Sequence, residues 1–163
     1  MVKYNSEQRY SEKSEVVTHD LIKYDSIESK LLKNSFEILK QYDVIGIDGG
    51  QFFNDLVEIC EELALMGKIV IIASLNGYFK MEPFPVIQRV ISKCDKIKLS
   101  KAYCFNCHKD AKFNLKIEPS NKNILIGSVD LYKSVCRVCH ILFSKKGEKS
   151  NITYAKLDNK DNE

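Results

Sequence analysis

A chain of 163 residues with 44% hydrophobic side chains is long enough for one domain, or for one domain and a small second lobe. No apolar run is long enough to cross a membrane, and the polar N-terminus contains no stretch that could be a signal peptide. The net charge of +3 comes from lysines scattered among acidic residues, so no basic face for nucleic acid is expected.

The first part of the chain predicts one short strand and one helix. Residues 1–4 resemble a strand that starts abruptly, and the polar residues up to 25 are expected to form loops. Apolar side chains then recur at close to helical spacing and predict a helix over residues 26–41, with Ser26 as its N-cap.

The middle of the chain alternates between strands and helices. Residues 43–48 and 68–73 are short apolar runs typical of buried parallel strands. Between them, residues 54–66 predict a helix with Asn54 as cap and Gly67 as its C-terminal stop. A further helix is expected over residues 85–94, opened by Pro85. This order predicts an α/β fold with a parallel sheet, in which ligands bind at the carboxyl ends of the strands.

Two polar features lie at such strand ends, namely Asp48 and the loop over residues 74–77. An apolar strand that finishes in Asp is the Walker B pattern, in which the carboxylate reaches a nucleotide-bound Mg²⁺. By itself the pattern is weak, because many strands end in an Asp that only caps the next turn.

Residues 96–102, 111–117 and 123–126 predict strands around two C-x-x-C pairs, Cys104 with Cys107 and Cys136 with Cys139. Two such pairs can bring four thiolates onto one tetrahedral Zn²⁺, which would be structural and do no chemistry. The alternatives are two disulfides, which need an oxidising compartment, or free thiols. Histidines 108 and 140, each next to a predicted ligand, are expected to point away from the metal.

The two remaining cysteines carry no sign of catalysis. Cys60 shares a helical face with leucines 56 and 63, so it is expected to be a small core residue. Cys94 closes an amphipathic segment, and nothing beside it suggests a nucleophile.

Three ordered segments together resemble the cellular and poxvirus-type thymidine kinases, and the resemblance runs from Lys3 to about Phe143. The segments are Val44-Ile45-Gly46-Ile47-Asp48-Gly49-Gly50-Gln51-Phe52-Phe53, Ala73-Ser74-Leu75-Asn76-Gly77-Tyr78-Phe79 and Ser134-Val135-Cys136-Arg137-Val138-Cys139.

The resemblance implies a P-loop-type parallel sheet joined to a small zinc lobe. It places an α/β kinase-like domain at residues 1–100 and a Cys₄ zinc-ribbon lobe at residues 101–143. The lobe carries a lasso-like loop, residues 123–132, that closes over thymidine. Residues 144–163 form a charged tail that is expected to be disordered. A homo-oligomer, in this family a tetramer, and a cytoplasmic location are further implications.

The family's nucleoside pocket carries over residue by residue. The apolar and aromatic residues that wall the thymine ring match Phe52, Leu75, Phe79, Phe84 and Tyr132, with Gln51 near the sugar and base. In the lasso, the main chain around Gly127 and Val129 is expected to hydrogen-bond the base. Asp48 matches the Mg²⁺ ligand of the Mg-ATP site, and Arg9 a basic residue near the transferring phosphate. Core packing is the alternative for any of these residues taken singly.

Two parts of the family pattern are missing from the printed sequence. It contains no G-x-x-x-x-G-K-[ST], so the P-loop, its strand and its helix are expected to lie upstream of Met1 or to be absent. The sheet is therefore expected to lack its first strand. Directly after Asp48, the family has a Glu that acts as general base for the sugar 5′-hydroxyl, whereas this chain has Gly49, which can accept no proton.

The resulting hypothesis is a thymidine kinase family member, which converts thymidine and ATP to thymidine monophosphate in deoxynucleotide salvage. Without a P-loop and a base, the chain as printed is expected to be inactive. An alternative is a catalytically dead nucleoside-binding or regulatory subunit of a complete kinase. A free-standing zinc-ribbon module for nucleic acid is disfavoured by the lack of a basic, aromatic-studded face.

Overall fold

Four parallel strands form the main sheet, namely Ile27–Ser29, Val2–Tyr4, Val44–Asp48 and Ile69–Ala73 in their order across the sheet. The computed structural model describes residues 1–4, 15–18, 20–117 and 131–147. In chain order, the strands up to residue 73 are β1 Val2–Tyr4, β2 Glu15–Val17, β3 Lys23–Asp25, β4 Ile27–Ser29, β5 Val44–Asp48 and β6 Ile69–Ala73. The main sheet has the order β4-β1-β5-β6. The predicted α/β fold with a parallel sheet is confirmed.

The described residues divide into two units. The first takes in residues 1–78 and 82–98, and the second takes in residues 79–81, 99–117 and 131–147. Helices α1 Phe36–Leu39, α2 Leu56–Leu65 and α3 Pro85–Ile91 belong to the first unit, with short 3₁₀ turns at Leu32–Ser35 and Gly50–Phe52. None of the helices in the described ranges has both the length and the apolar composition needed to cross a bilayer.

The core of the first unit lies on one face of the sheet. Ile45 and Ile47 of β5 are buried there with Phe53, Leu56 and Leu63. On the other face, Val44 pairs with Ile69 and is 55% exposed, while Ile69 and Ile71 are each 59% exposed. Among the described residues, β5 and β6 are strands as predicted, but the predicted burial does not extend to this second face.

The predicted helix over residues 26–41 is wrong in its first half. Residues 27–29 form β4, which runs parallel to β1 with Ile27 opposite Val2. The Ile27 N–H donates to the Met1 carbonyl at 2.9 Å. Pairing with β1 therefore satisfies backbone groups that a helix would have used, and long-range pairing outweighs the local periodicity. Only the 3₁₀ turn and α1 remain of the prediction.

Residues 15–17 and 23–25 also differ from the expected loops, since they pair as the antiparallel strands β2 and β3. The helix expected over residues 54–66 begins at Leu56, so Asn54 is not its cap. Instead, both carboxylate oxygens of Asp55 accept backbone N–H groups, from Leu32 at 3.0 Å and from Lys33 at 2.9 Å.

The second unit consists of two short antiparallel sheets and one helix. Strand β7 Ala102–Tyr103 pairs with β8 Asp110–Ala111, and β9 Phe113–Lys116 pairs with β10 Tyr132–Val135. Residues 96–101 are not in a strand, contrary to prediction. Helix α4 Arg137–Gly147 continues past residue 144, so the start of the predicted disordered tail is wrong, while its remainder lies outside the described residues.

Candidate functional site

Asp48 lies at the carboxyl end of β5, between two neighbouring strands. Its backbone partners are Lys3 on β1 and Ala73 on β6. On the far side of Lys3, Glu28 of β4 forms an ion pair with the lysine Nζ at 3.1 Å. The Lys3 side chain is 3% exposed, so a nearly buried cation lies in a row with two carboxylates. The strand register thus places a charged row at the end of the sheet where Asp48 was predicted to act.

Sequence reasoning did not assign a role to Lys3. A signal was available, because a lysine between Val2 and Tyr4 in a strand is a charge that needs a partner if the strand is central. The partner, Glu28, was hidden because its segment was predicted to be helical. Lys3 is the buried member of the pair, whereas the Glu28 side chain is 30% exposed, so removing Glu28 would take a partner away from a buried charge.

The turn after Asp48 brings Gln51 to the next strand end. Gly49 has a left-handed backbone with φ +69°, and the short 3₁₀ turn that follows points Gln51 toward the loop after β6. There its Oε1 accepts the backbone N–H of Leu75 at 3.1 Å. Two of the predicted substrate-binding residues, from separate loops, are therefore in direct contact.

The other predicted pocket residues of the first unit are in aromatic contacts. The Phe52 ring lies 5.5 Å from the ring of Tyr4. Phe84 is buried in the core, and its ring centroid is 3.9 Å from that of Tyr78. Phe84 thus packs as a core residue, while Phe52 lies beside the residue that ends β1.

Two predicted pocket residues belong to the second unit. The rings of Phe79 and Tyr132 are 6.4 Å apart, and the Lys116 Nζ lies 5.1 Å from the centre of the Phe79 ring. The ammonium group of Lys80 is 5.9 Å from the same ring. Cations over an aromatic face are favourable when the ring is accessible to them. Arg9, Gly127, Val129 and most of the predicted lasso lie outside the described residues.

Four cysteine sulfurs converge in the second unit. The Sγ atoms of cysteines 104, 107, 136 and 139 all lie within 4.8 Å of one another, and this group could hold a metal ion. The Sγ atoms of Cys107 and Cys136 are 3.6 Å apart. A tetrahedron of thiolates about 2.3 Å from a central zinc has sulfurs about 3.8 Å apart, so the cluster has the right size. A disulfide would need about 2.05 Å, and all six cysteines are free.

Backbone donors around the cluster favour the ionised form of two of its thiols. Burial raises the pKa of Cys104, but N–H groups of residues 107, 136 and 106 outweigh it and lower that pKa to about 6. The Cys139 N–H, 3.5 Å from the Cys136 sulfur, likewise lowers the pKa of Cys136. Burial raises the pKa of Cys139 to about 12. A divalent cation would favour the thiolate at all four positions, because metal binding releases thiol protons.

The two histidines beside the cluster contribute no nitrogen to it. His140 Nε2 lies 2.8 Å from the Phe79 carbonyl oxygen, whereas His108 is exposed with a left-handed backbone, φ +57°. The expectation that His140 points away from the metal agrees with this contact. Sequence reasoning gave no further role to His140, and a histidine directly after a ligand carries no distinctive signal.

Comparison with known proteins gives a consistent result. The family model described as Thymidine kinase matches residues 1–140. The chain is 42% identical over 143 residues to Thymidine kinase 1 of Dictyostelium discoideum, covering 86% of this chain and 63% of that protein. It is 39% identical over 140 residues to the Thymidine kinase of variola virus, covering 86% of this chain and 78% of the viral protein. The chain thus spans less than two thirds of the Dictyostelium relative.

Proposed function

The chain belongs to the thymidine kinase family, and we propose that it binds thymidine at the strand ends around Asp48 and Gln51. The observation that carries the proposal is the family match over residues 1–140, which includes both strand-end loops and the four cysteines. The direct contact between Gln51 and Leu75 supports it, because it joins two of the loops that carry proposed pocket residues.

The proposed reaction is transfer of the γ-phosphoryl group of Mg-ATP to the 5′-hydroxyl of thymidine, giving thymidine monophosphate. Asp48 would hold the Mg²⁺. A single carboxylate at a strand end suits this ion, which keeps several waters and takes one or two protein carboxylates besides the phosphates. Lys3, the backbone neighbour of Asp48, would orient that carboxylate and limit the negative charge of the row. Arg9 is proposed to contact the transferring phosphate.

The thymine ring is proposed to lie against apolar and aromatic side chains, with polar groups at its edge. A flat base gains from stacking and from an apolar slot, and backbone groups can read its polar edge. Gln51 would contact the sugar and base. The remaining proposed contacts are Phe52, Leu75, Phe79, Phe84, Tyr132, Gly127 and Val129.

Turnover by this chain is proposed to be strongly depressed. Gly49 follows Asp48 at the position where the family resemblance places the general base, and a glycine has no group that accepts the 5′-hydroxyl proton. Losing a general base typically reduces the rate by about 10²–10⁴-fold. We therefore expect the chain to bind thymidine but to phosphorylate it only slowly.

The four-cysteine group is proposed to hold a structural Zn²⁺. Four thiolates close the coordination shell and leave no position for water or substrate, so the metal would stabilise the second unit and take no part in the transfer. A homotetramer and a cytoplasmic location are proposed on the family resemblance alone.

Calorimetry on the zinc-loaded 163-residue chain tests the proposal. Thymidine should bind, and adenosine, which lacks the thymine ring, should not. In a parallel assay with Mg-ATP, thymidine monophosphate should form at a rate at least about 10²-fold below that of a family member that has a Glu directly after the strand-end Asp. Absence of thymidine binding would overturn the nucleoside function. Rapid turnover would instead overturn the role assigned to Gly49.

A further inference from the structure

The His140 side chain connects the cysteine cluster to the backbone of Phe79 within the second unit. The residue is 4% exposed and follows Cys139 directly. Its Nε2 lies 2.8 Å from the Phe79 carbonyl oxygen. Since a carbonyl oxygen can only accept, this nitrogen must carry a hydrogen. Nδ1 then accepts a hydrogen bond from the hydroxyl of Ser144, whose Oγ is 3.3 Å away.

The position of the imidazole is fixed from the side of the cluster. The backbone N–H of His140 donates to the Cys136 carbonyl at 2.9 Å, and Cys139 is itself one of the four clustered residues. The ring also packs edge-on against Phe113, with 5.9 Å between ring centroids. A cation that holds cysteines 136 and 139 would therefore hold the first turn of α4 and the histidine on it.

The other end of the hydrogen bond is a proposed pocket residue. Phe79 begins the three-residue segment Phe79–Met81, which belongs to the second unit. The ring of Phe79 has neighbours on its own unit, namely the Tyr132 ring at 6.4 Å and the ammonium groups of Lys116 at 5.1 Å and Lys80 at 5.9 Å. Its backbone carbonyl, by contrast, has a short bond to a buried donor. His140 therefore holds the backbone from which the Phe79 ring projects.

We infer that His140 is a positioning residue through which the metal at the four cysteines determines where Phe79 lies, and hence how tightly thymidine binds. The metal would affect nucleoside affinity without touching the nucleoside. The statement about affinity rests on the proposed function, whereas the mechanical link between the cluster and Phe79 does not. A histidine that only satisfies the Phe79 carbonyl would support folding but would not transmit metal occupancy.

The link can be measured without any nucleoside because the chain contains no tryptophan. Phe79→Trp therefore gives a single-tryptophan reporter at the position of interest. On removal of the metal with a chelator, the tryptophan emission of this variant should shift toward the red as the side chain becomes more exposed. Adding His140→Phe, which keeps a ring but removes the N–H, should give the same red shift with one zinc still bound.

Two variants control for general damage. His140→Gln keeps an N–H donor on a side chain of comparable reach and should restore most of the original emission. His108→Gln changes the other histidine that follows a clustered cysteine and should leave the emission unchanged. Zinc content by elemental analysis accompanies every variant.

In the chain that keeps Phe79, without the tryptophan reporter, His140→Phe should weaken thymidine binding by roughly tenfold, as loss of a buried hydrogen bond predicts. His108→Gln should not weaken it. Unchanged emission in the zinc-loaded His140→Phe variant would overturn the inference. Loss of zinc in that variant would overturn it too, because His140 would then support the cluster itself. If emission responds as expected but no variant, nor the parent chain, binds thymidine, the link stands and the proposed function fails.

Discussion

Replacing Gly49 should destabilise the fold by an amount that the backbone geometry fixes. The residue has φ +69° and ψ 36°, a left-handed conformation that costs an L-residue with a side chain about 1–2 kcal/mol. A Cβ at this position would lie 3.3 Å from the Cδ2 atom of Phe52, so the ring would also have to move by a few tenths of an ångström. Gly49→Ala should therefore lower the free energy of unfolding by at least about 1–2 kcal/mol.

Gly67→Ala is the matched control for this measurement. Gly67 is also left-handed, with φ +79°, but an added Cβ there meets nothing within 4 Å. It should incur the conformational cost without the crowding. Urea unfolding of the zinc-loaded chain, followed by circular dichroism, gives both values, and thermal melting should show a decrease of about 2–4 °C per kcal/mol for a chain of this size. A Gly49→Ala variant as stable as the parent, or less destabilised than Gly67→Ala, would refute the reasoning.

Four further predictions concern other parts of the molecule. Asp55→Ala should lower the free energy of unfolding by about 1–3 kcal/mol, because it removes the acceptor of the buried Leu32 N–H, whereas Asp43→Ala on the surface should cost under about 1 kcal/mol by urea unfolding. Burial, with a smaller contribution from the charge of Asp55, raises the pKa of Cys60 to about 12, so a thiol reagent at pH 8 should label the exposed Cys94 and spare Cys60. Because the pKa of Cys60 is raised in the folded chain, the Cys60 thiol of the unfolded chain loses its proton at a lower pH than that of the folded chain. The free energy of unfolding should therefore fall as the pH rises above about 8.5. Cys60→Ala should lack that part of the pH dependence. Chelation should unfold the second unit and leave the parallel sheet, which circular dichroism can follow; a second unit that keeps its structure without metal would contradict the structural role.

The parts of the fold that could be predicted were those whose sequence signal is local. Strands β5 and β6 are continuous apolar runs. The helix between them ends at Leu65, and Gly67, the predicted C-terminal stop, follows with φ +79°. The segment before them could not be predicted in this way. Its apolar spacing is close to helical, yet Ile27 pairs with Val2 from the other side of a long connection. Such pairing leaves no periodic trace in the segment itself.

The candidate site divides in the same manner. The spacing of the four cysteines was sufficient to place their sulfurs together, because each pair can converge only in a tight turn. In contrast, nothing near Lys3 indicates Glu28, and nothing near His140 indicates the Phe79 carbonyl, since both partners come from distant segments. Residue type was informative for the four-cysteine group, and only the fold could supply the partners of single buried charges and donors.

Gly49 connects the proposed absence of a general base with the shape of the turn. The left-handed backbone at this position is followed by the short turn that brings Gln51 to the Leu75 N–H. A glutamate at position 49 must either accept the strain of that conformation or change the turn, and a changed turn would move Gln51 away from its partner. Gly49→Glu should therefore be destabilised about as much as Gly49→Ala, and it should not restore rapid thymidine phosphorylation. Stability equal to the parent together with a rate increase of 10²-fold or more, near the lower end of what a general base supplies, would show that the turn accommodates the carboxylate after all.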